Sequence, residues 1–179
     1  MLESTYLTAK TLMMTMMLSS GAELTEQNVE QTYCMSLNIY YEARGEGWKG
    51  KSAVAHVVKN RVKHPKYPNT ICGVVLEAKL WKDKPIREMC QFAWYCDGKS
   101  DQPQLRYKAE PRKGKAIKPN VTDWENSVET AIQVMDGWSR DVTRGATHYY
   151  NYNISTPSWS TVYPESATIG NHRFLVRND

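Results

Sequence analysis

Several things are scarce in this sequence. It has 2 phenylalanines among 179 residues, no long block of basic residues, no internal repeat and no low-complexity stretch. The one apolar run near the N-terminus, residues 11–18, is far shorter than the roughly 20 residues a membrane-crossing helix needs. Stable membrane insertion is therefore not expected. Basic residues are densest over 106–118, but Pro111, Gly114 and Pro119 interleave them, so the stretch reads as a loop and a nucleic-acid partner is not expected. The four cysteines, Cys34, Cys72, Cys90 and Cys96, match neither a zinc-ligand spacing nor a dense disulfide framework. Cys90 and Cys96 stand too far apart for a CxxC pair. One disulfide among Cys72, Cys90 and Cys96 in an oxidising compartment and a set of buried thiols suit the sequence equally. His148 and His172 lack a third ligand at metal-site spacing and read as hydrogen-bonded structural residues, so neither metal nor cofactor is expected.

What is present is tyrosine and tryptophan, 11 and 6 of them. Their rings offer an apolar face with a polar handle, which suits a surface that holds sugars. The length is that of one domain with a real core. A net charge of +4 favours encounter with an anionic polymer.

Along the chain, Leu2, Tyr6, Ala9, Met13 and Met17 recur at helical spacing. This favours a packed N-terminal amphipathic helix within residues 1–24 over the signal-like segment that the same stretch resembles. Residues 25–179 read as the main domain. Its first helix is capped by Thr25 or Asn28, carries Val29, Tyr33, Leu37, Tyr40 and Tyr41 on one stripe, and stops near Gly45 or Gly47. A second helix runs from about 48 to 63, ended by Pro65 and Pro68. Residues 71–80 are expected to form another helix, and 82–119 a loop-rich stretch. A last helix, capped by Thr122 or Asp123, runs through Val128, Ile132 and Met135. Short strands and aromatic loops follow from Arg144. The expected fold class is α+β, predominantly α-helical, with a small C-terminal β element.

Gly45-Glu46-Gly47-Trp48-Lys49-Gly50-Lys51-Ser52 satisfies the phosphate-binding pattern GxxxxGK(S/T) letter by letter. That loop must leave a buried strand, whereas residues 36–44 have helical periodicity. No acidic residue at the end of a second apolar strand is available for magnesium either. A nucleotide partner is therefore not expected, and the glycines read as a helix stop and the turn into the next helix.

Cutting a glycosidic bond requires a carboxylic acid that is still protonated near neutral pH. Glu42, beside Tyr40, Tyr41 and Trp48, is a candidate, because burial against rings raises a carboxyl pKa. Arg44 is placed to oppose this by pairing with Glu42 or Glu46. Spacing alone leaves Glu42 an ordinary surface residue.

The order of several blocks decides otherwise. Tyr41-Glu42-Ala43-Arg44-Gly45-Glu46 is followed by Val54-Ala55-His56-Val57-Val58-Lys59-Asn60-Arg61-Val62 and Tyr67-Pro68-Asn69-Thr70-Ile71-Cys72-Gly73-Val74-Val75. Next come Cys90-Gln91-Phe92-Ala93-Trp94-Tyr95-Cys96-Asp97-Gly98 and Gly145-Ala146-Thr147-His148-Tyr149-Tyr150-Asn151. Pro157-Ser158-Trp159 and Ile169-Gly170-Asn171-His172 close the series. Over about residues 30–177 the chain resembles the SleB/CwlJ-like cell wall hydrolases. The resemblance implies a lysozyme-like single domain, peptidoglycan glycan strands as the partner, and lytic transglycosylase or muramidase chemistry with Glu42 as the catalytic residue. A hydrolytic mechanism would draw a second carboxylate from Glu46, Asp97 or Asp101; the single-acid mechanism needs none. A non-catalytic wall-binding module is the alternative of a different class.

Tyr41, Glu46, Gln91, Phe92, Trp94 and Trp159 are the expected groove residues. Strand alternation lets only half of residues 148–151 face that groove, and His148 and Tyr150 are the expected pair. The inserted basic stretch, the short N-terminal helix and the lack of a separate wall-binding repeat differ from the spore enzymes of the family. They point to a phage or prophage endolysin, expected to be a monomer, made in the host cytoplasm and acting on the cell wall from the periplasm or outside.

Overall fold

The structure is a computed structural model that describes residues 8–112 and 114–179. Leu2 and Tyr6 of the expected N-terminal stripe lie outside the described residues. The rest of that stripe folds as α1 (Ala9–Ser19), capped by Thr8, with Ala9, Met13 and Met17 buried. They join the same core as the helices that follow.

Helix α2 (Glu26–Ala43) begins where the Thr25 hydroxyl accepts the Asn28 amide at 3.1 Å. Helix α3 is Trp48–Lys63, as the periodicity predicts. The P-loop lookalike is the turn between these two helices. Lys51 is 6% exposed, and its ammonium donates to the carbonyls of Arg44 and Glu46. It thus satisfies acceptors at the C-terminal end of α2 that the helix leaves without partners.

The expected helix over 71–80 is cut short. Helix α4 covers Ile71–Val75, and the chain then turns into β1 (Ala78–Trp81), which pairs antiparallel with β2 (Lys84–Cys90). The supposed loop region therefore holds a hairpin, then a 3-10 turn at Ala93–Cys96 and a second hairpin, β3 (Glu110–Arg112) with β4 (Lys115–Ile117). Pro85 is accommodated within a two-stranded ribbon, where one edge of each strand needs no partner. Two disulfides form, Cys34–Cys72 joining α2 to α4 and Cys90–Cys96 closing the end of β2 onto the 3-10 turn.

Helix α5 (Val121–Met135) starts from Asn120 rather than Thr122 or Asp123. The Asn120 amide is used tertiarily, accepting from the Arg106 backbone at 2.6 Å and donating to the Tyr40 hydroxyl at 2.9 Å. Trp124, fully buried, anchors α5 against α1 through a 2.9 Å bond to the Ala9 carbonyl.

The C-terminal sheet has the order β5-β7-β6, from β5 (His148–Asn151), β7 (His172–Leu175) and β6 (Glu165–Ile169). A second apolar cluster of Ala53, Val57, Ala146, Ile169 and Phe174 seats it on α3. Polar ties from α3 fix the approach to β5: Asn60 donates to the Ala146 carbonyl at 3.0 Å and Arg61 Nε to the Thr147 carbonyl at 2.7 Å. Asp141 holds the preceding turn by accepting from the amides of Thr143 and Gly145, both at 2.8 Å. The result is an edge strand carried past the C-terminal end of α2.

Candidate active site

Glu42 occupies the last turn of α2 and is half-buried. The Tyr149 hydroxyl of β5 donates to its Oε2 at 2.8 Å. Burial raises the Glu42 pKa above the usual carboxylate value, while the Tyr149 hydrogen bond and the positive charge of Arg61 pull the other way. Burial dominates. Arg44, expected as a partner, instead lays its guanidinium over the Tyr40 ring at 5.4 Å.

Glu42 and Tyr149 line two cavities at once. One, about 450 Å³, continues along Glu46, Tyr150, Asn151, Ser155 and His172. The other, about 480 Å³, continues along Arg61, Gln91, Phe92, His148, Trp159 and Tyr163. The carboxyl group therefore stands at the junction of two spaces, each large enough for a sugar-sized ligand.

The expected residues divide between these spaces. Gln91, Phe92, His148 and Trp159 meet in the second cavity, and Glu46 and Tyr150 in the first. Tyr41 and Trp94 line neither. They stack on each other at 4.9 Å, and Trp94 is buried with its indole N–H bonded to Asn38 at 3.1 Å. Both help to pack the base of α2. Asp97 is bonded to Lys99 at 2.8 Å and, like Asp101, lines neither cavity.

His148 lines one cavity and Tyr150 the other, but the β5 residue that touches Glu42 is Tyr149 between them. Being an edge strand, β5 presents both faces. His148 and Tyr150 flank Trp159 with ring centroids 5.2 and 5.7 Å away, whereas Tyr149 stacks on Phe174 at 5.7 Å and reaches Glu42. His148 also stacks on Tyr163 at 4.5 Å, and burial with the nearby charges of Arg61 and Arg177 depresses its pKa to about 4. It is a neutral ring at ordinary pH.

Glu46 sits on the turn after α2 with its Oε1 3.6 Å from His172 Nδ1. Two glycines make room for it. A Cβ at Gly50 would lie 2.7 Å from the Glu46 Cβ, and one at Gly170, already at φ +57°, would lie 2.9 Å from Oε2. Arg61, Tyr163 and His172 were not singled out from sequence as site residues. Arg61 stood in the block from Val54 to Val62 without a role, yet a charged residue among the buried apolar residues of α3 is itself a signal. Among the described residues no group of three His, Cys, Asp or Glu side chains is placed to hold a metal ion.

The helices that carry an acid-bearing groove against a three-stranded sheet make this an α+β protein. The sequence profile of the cell wall hydrolase family matches residues 45–175, and the chain belongs to that family. Glu42 lies just before the matched range. The chain is 29% identical over 140 residues to the spore cortex-lytic enzyme of Bacillus cereus and 29% over 136 residues to that of Bacillus subtilis. These matches cover 78% and 76% of this chain but only 42% and 34% of the relatives, so the chain spans less than half their length. Two solved structures are similar in fold as well. The catalytic domain of Bacillus cereus SleB has a TM-score of 0.54 at 28% identity, covering 82% of this chain and 90% of that one. The catalytic domain of the germination-specific lytic transglycosylase SleB of Bacillus anthracis has a TM-score of 0.55 at 27% identity, covering 86% and 98%.

Proposed function

We propose that this protein cleaves peptidoglycan glycan strands between N-acetylmuramic acid and N-acetylglucosamine as a lytic transglycosylase, with Glu42 as its single catalytic acid and base. The observation that carries this reading is the position of Glu42: a carboxyl group with a raised pKa, on the wall shared by two sugar-sized cavities. A strand lying across both cavities presents a glycosidic oxygen to the protonated acid. After donating, the carboxylate takes the proton from the muramyl C6 hydroxyl, which attacks C1 and closes a 1,6-anhydro ring. Tyr149 holds the carboxyl oxygen in place through both steps. Trp159, Tyr163 and Phe92 offer ring faces to the sugars, and neutral His148 offers another.

The two disulfides suit work outside the reducing cytoplasm. A phage or prophage endolysin setting is proposed on the inserted basic stretch near Lys108 to Lys118 and the N-terminal helix.

A hydrolytic muramidase is the second reading, and one observation favours it: Glu46 lines the same cavity as Glu42. Its pairing with His172 and its seat between two glycines suit a fixed wall residue better than a second reacting group.

The test is Glu42→Gln, which keeps the shape and removes the proton. It is expected to retain binding to purified peptidoglycan and to lose release of soluble fragments by at least about a hundredfold. Undiminished release would overturn the assignment, and retention on the wall without release by the unaltered protein would make it a binding module.

A further inference from the structure

The chemistry above assigns no task to the guanidinium of Arg61. Arg61 is 5% exposed on α3, sandwiched between the rings of Tyr67 at 5.4 Å and Phe92 at 5.3 Å. Its Nε bond to the Thr147 carbonyl explains how it holds the start of β5. That leaves the far end of the group. Nη1 is buried without a hydrogen-bond partner, and Arg61 forms no ion pair with a carboxylate among the described residues. A buried cationic donor left unpaired is costly, and the Arg61 side chain lines the second cavity, where its guanidinium can take an acceptor from outside.

The two cavities also differ in charge. The Arg61 cavity carries one buried cation and neutral His148, whereas the other carries the carboxylate of Glu46 beside His172. The two sugars of the strand differ in the same sense. Both bear an acetamido group, but only the muramyl sugar carries a lactyl arm, whose carbonyl oxygen is a strong acceptor and is anionic where the stem peptide is missing. An acceptor of that kind is repelled by Glu46 and drawn to Arg61.

We propose that the Arg61 guanidinium binds the lactyl carbonyl oxygen of a muramyl residue seated in the Arg61 cavity, so that the strand lies with N-acetylglucosamine on the Glu46 and His172 side. This rests on the glycan-cleaving reading. It makes Arg61 a substrate-binding residue that sets the direction of the strand across Glu42. An acetamido carbonyl offers the same acceptor chemistry, but it is present on both sugars and gives no direction.

The experiment uses the Glu42→Gln protein, which does not turn over its ligand, and two tetrasaccharides. One is chitotetraose, with acetamido groups only; the other alternates N-acetylglucosamine with N-acetylmuramic acid bearing free lactyl carboxylates. Titration calorimetry is expected to show the muramyl tetrasaccharide binding about tenfold or more tightly, the effect of one charge-assisted hydrogen bond. Adding Arg61→Lys is expected to bring the two within about twofold, since the planar fork is lost. The arginine side-chain nitrogen resonances of the Glu42→Gln protein supply a readout that needs no change at Arg61. They are expected to shift with the muramyl ligand and to stay in place with chitotetraose. Equal affinities, or Arg61 resonances that respond alike to both sugars, would overturn the proposal while leaving glycan cleavage standing. Failure of the unaltered protein to release fragments from peptidoglycan would remove the reading on which it rests.

Discussion

The hydroxyl of Tyr149 donates to Oε2 of Glu42 at 2.8 Å, across 107 residues of sequence and from the edge strand of the sheet to the end of α2. A hydrogen bond to a carboxylate stabilises the charged form, so Tyr149 restrains a pKa that burial lifts. Tyr149→Phe removes the restraint. The Glu42 pKa then rises further, and because the first step needs the protonated acid, the alkaline limb of the pH–rate profile moves to higher pH. Loss of one positioning bond is expected to lower the rate at the optimum by about tenfold or less. An unmoved limb would mean that Tyr149 does not act on the reacting proton.

A raised carboxyl pKa also leaves a mark on stability. The unfolded chain releases the Glu42 proton more readily than the folded one. The stabilising contribution of the neutral carboxyl is therefore complete below the unfolded pKa and is lost as pH rises through the folded value. Glu42→Gln, which stays neutral, is expected to match the unaltered protein at acid pH and to exceed it at neutral pH and above. Each kcal/mol of that gain appears as about 2–4 °C in Tm. Equal melting curves at pH 4 and pH 8 would contradict the burial of this group.

The disulfide between Cys34 and Cys72 encloses a loop with sequence separation 38 and ties the middle of α2 to α4. Replacing both with serine is expected to cost about 4 kcal/mol by loop-closure entropy, read by denaturant unfolding under non-reducing conditions. Cys90–Cys96, with sequence separation 6, is expected to contribute less, about 2.4 kcal/mol on the same relation. A larger loss from the shorter loop would show that local geometry outweighs chain entropy here.

Spacing did not reveal this pairing: Cys34, outside the expected set of Cys72, Cys90 and Cys96, bonds to Cys72 on another helix. Thr25 or Asn28 and the 3.6-residue stripe marked the start of α2, where Thr25 is the cap, and the full span of α3 followed from periodicity and the prolines after it. Residues 71–80 did not separate in the same way, because a short apolar run suits a helix or a strand equally. The chain in fact changes from α4 to β1 between Val75 and Ala78. Tyr149 and His148 were both visible as strand residues, but alternation says only that they differ in facing, not which one meets Glu42. Arg61 was hidden for a different reason. Its partners, Thr147 and Phe92, lie on other elements, and nothing near position 61 announces them.

Lys51 separates the two meanings of the glycine-rich turn. Its ammonium serves part-buried carbonyls at the end of α2, so Lys51→Met is expected to destabilise the fold by about 1–3 kcal/mol, the worth of hydrogen bonds from a charged donor. Calorimetry with ATP and magnesium is expected to show no binding to either form. Saturable nucleotide binding that vanishes in the variant would restore the phosphate-binding reading.

Most direct is mass spectrometry of the soluble fragments released from purified peptidoglycan by the unaltered protein, with Glu42→Gln alongside. The account predicts muramyl ends in the 1,6-anhydro form, one water lighter than reducing ends, and no fragments above background from the variant. Reducing muramyl ends would contradict the single-acid mechanism and bring Glu46 forward as the second carboxylate. Fragments from the variant equal to those from the unaltered protein would contradict the role of Glu42 itself.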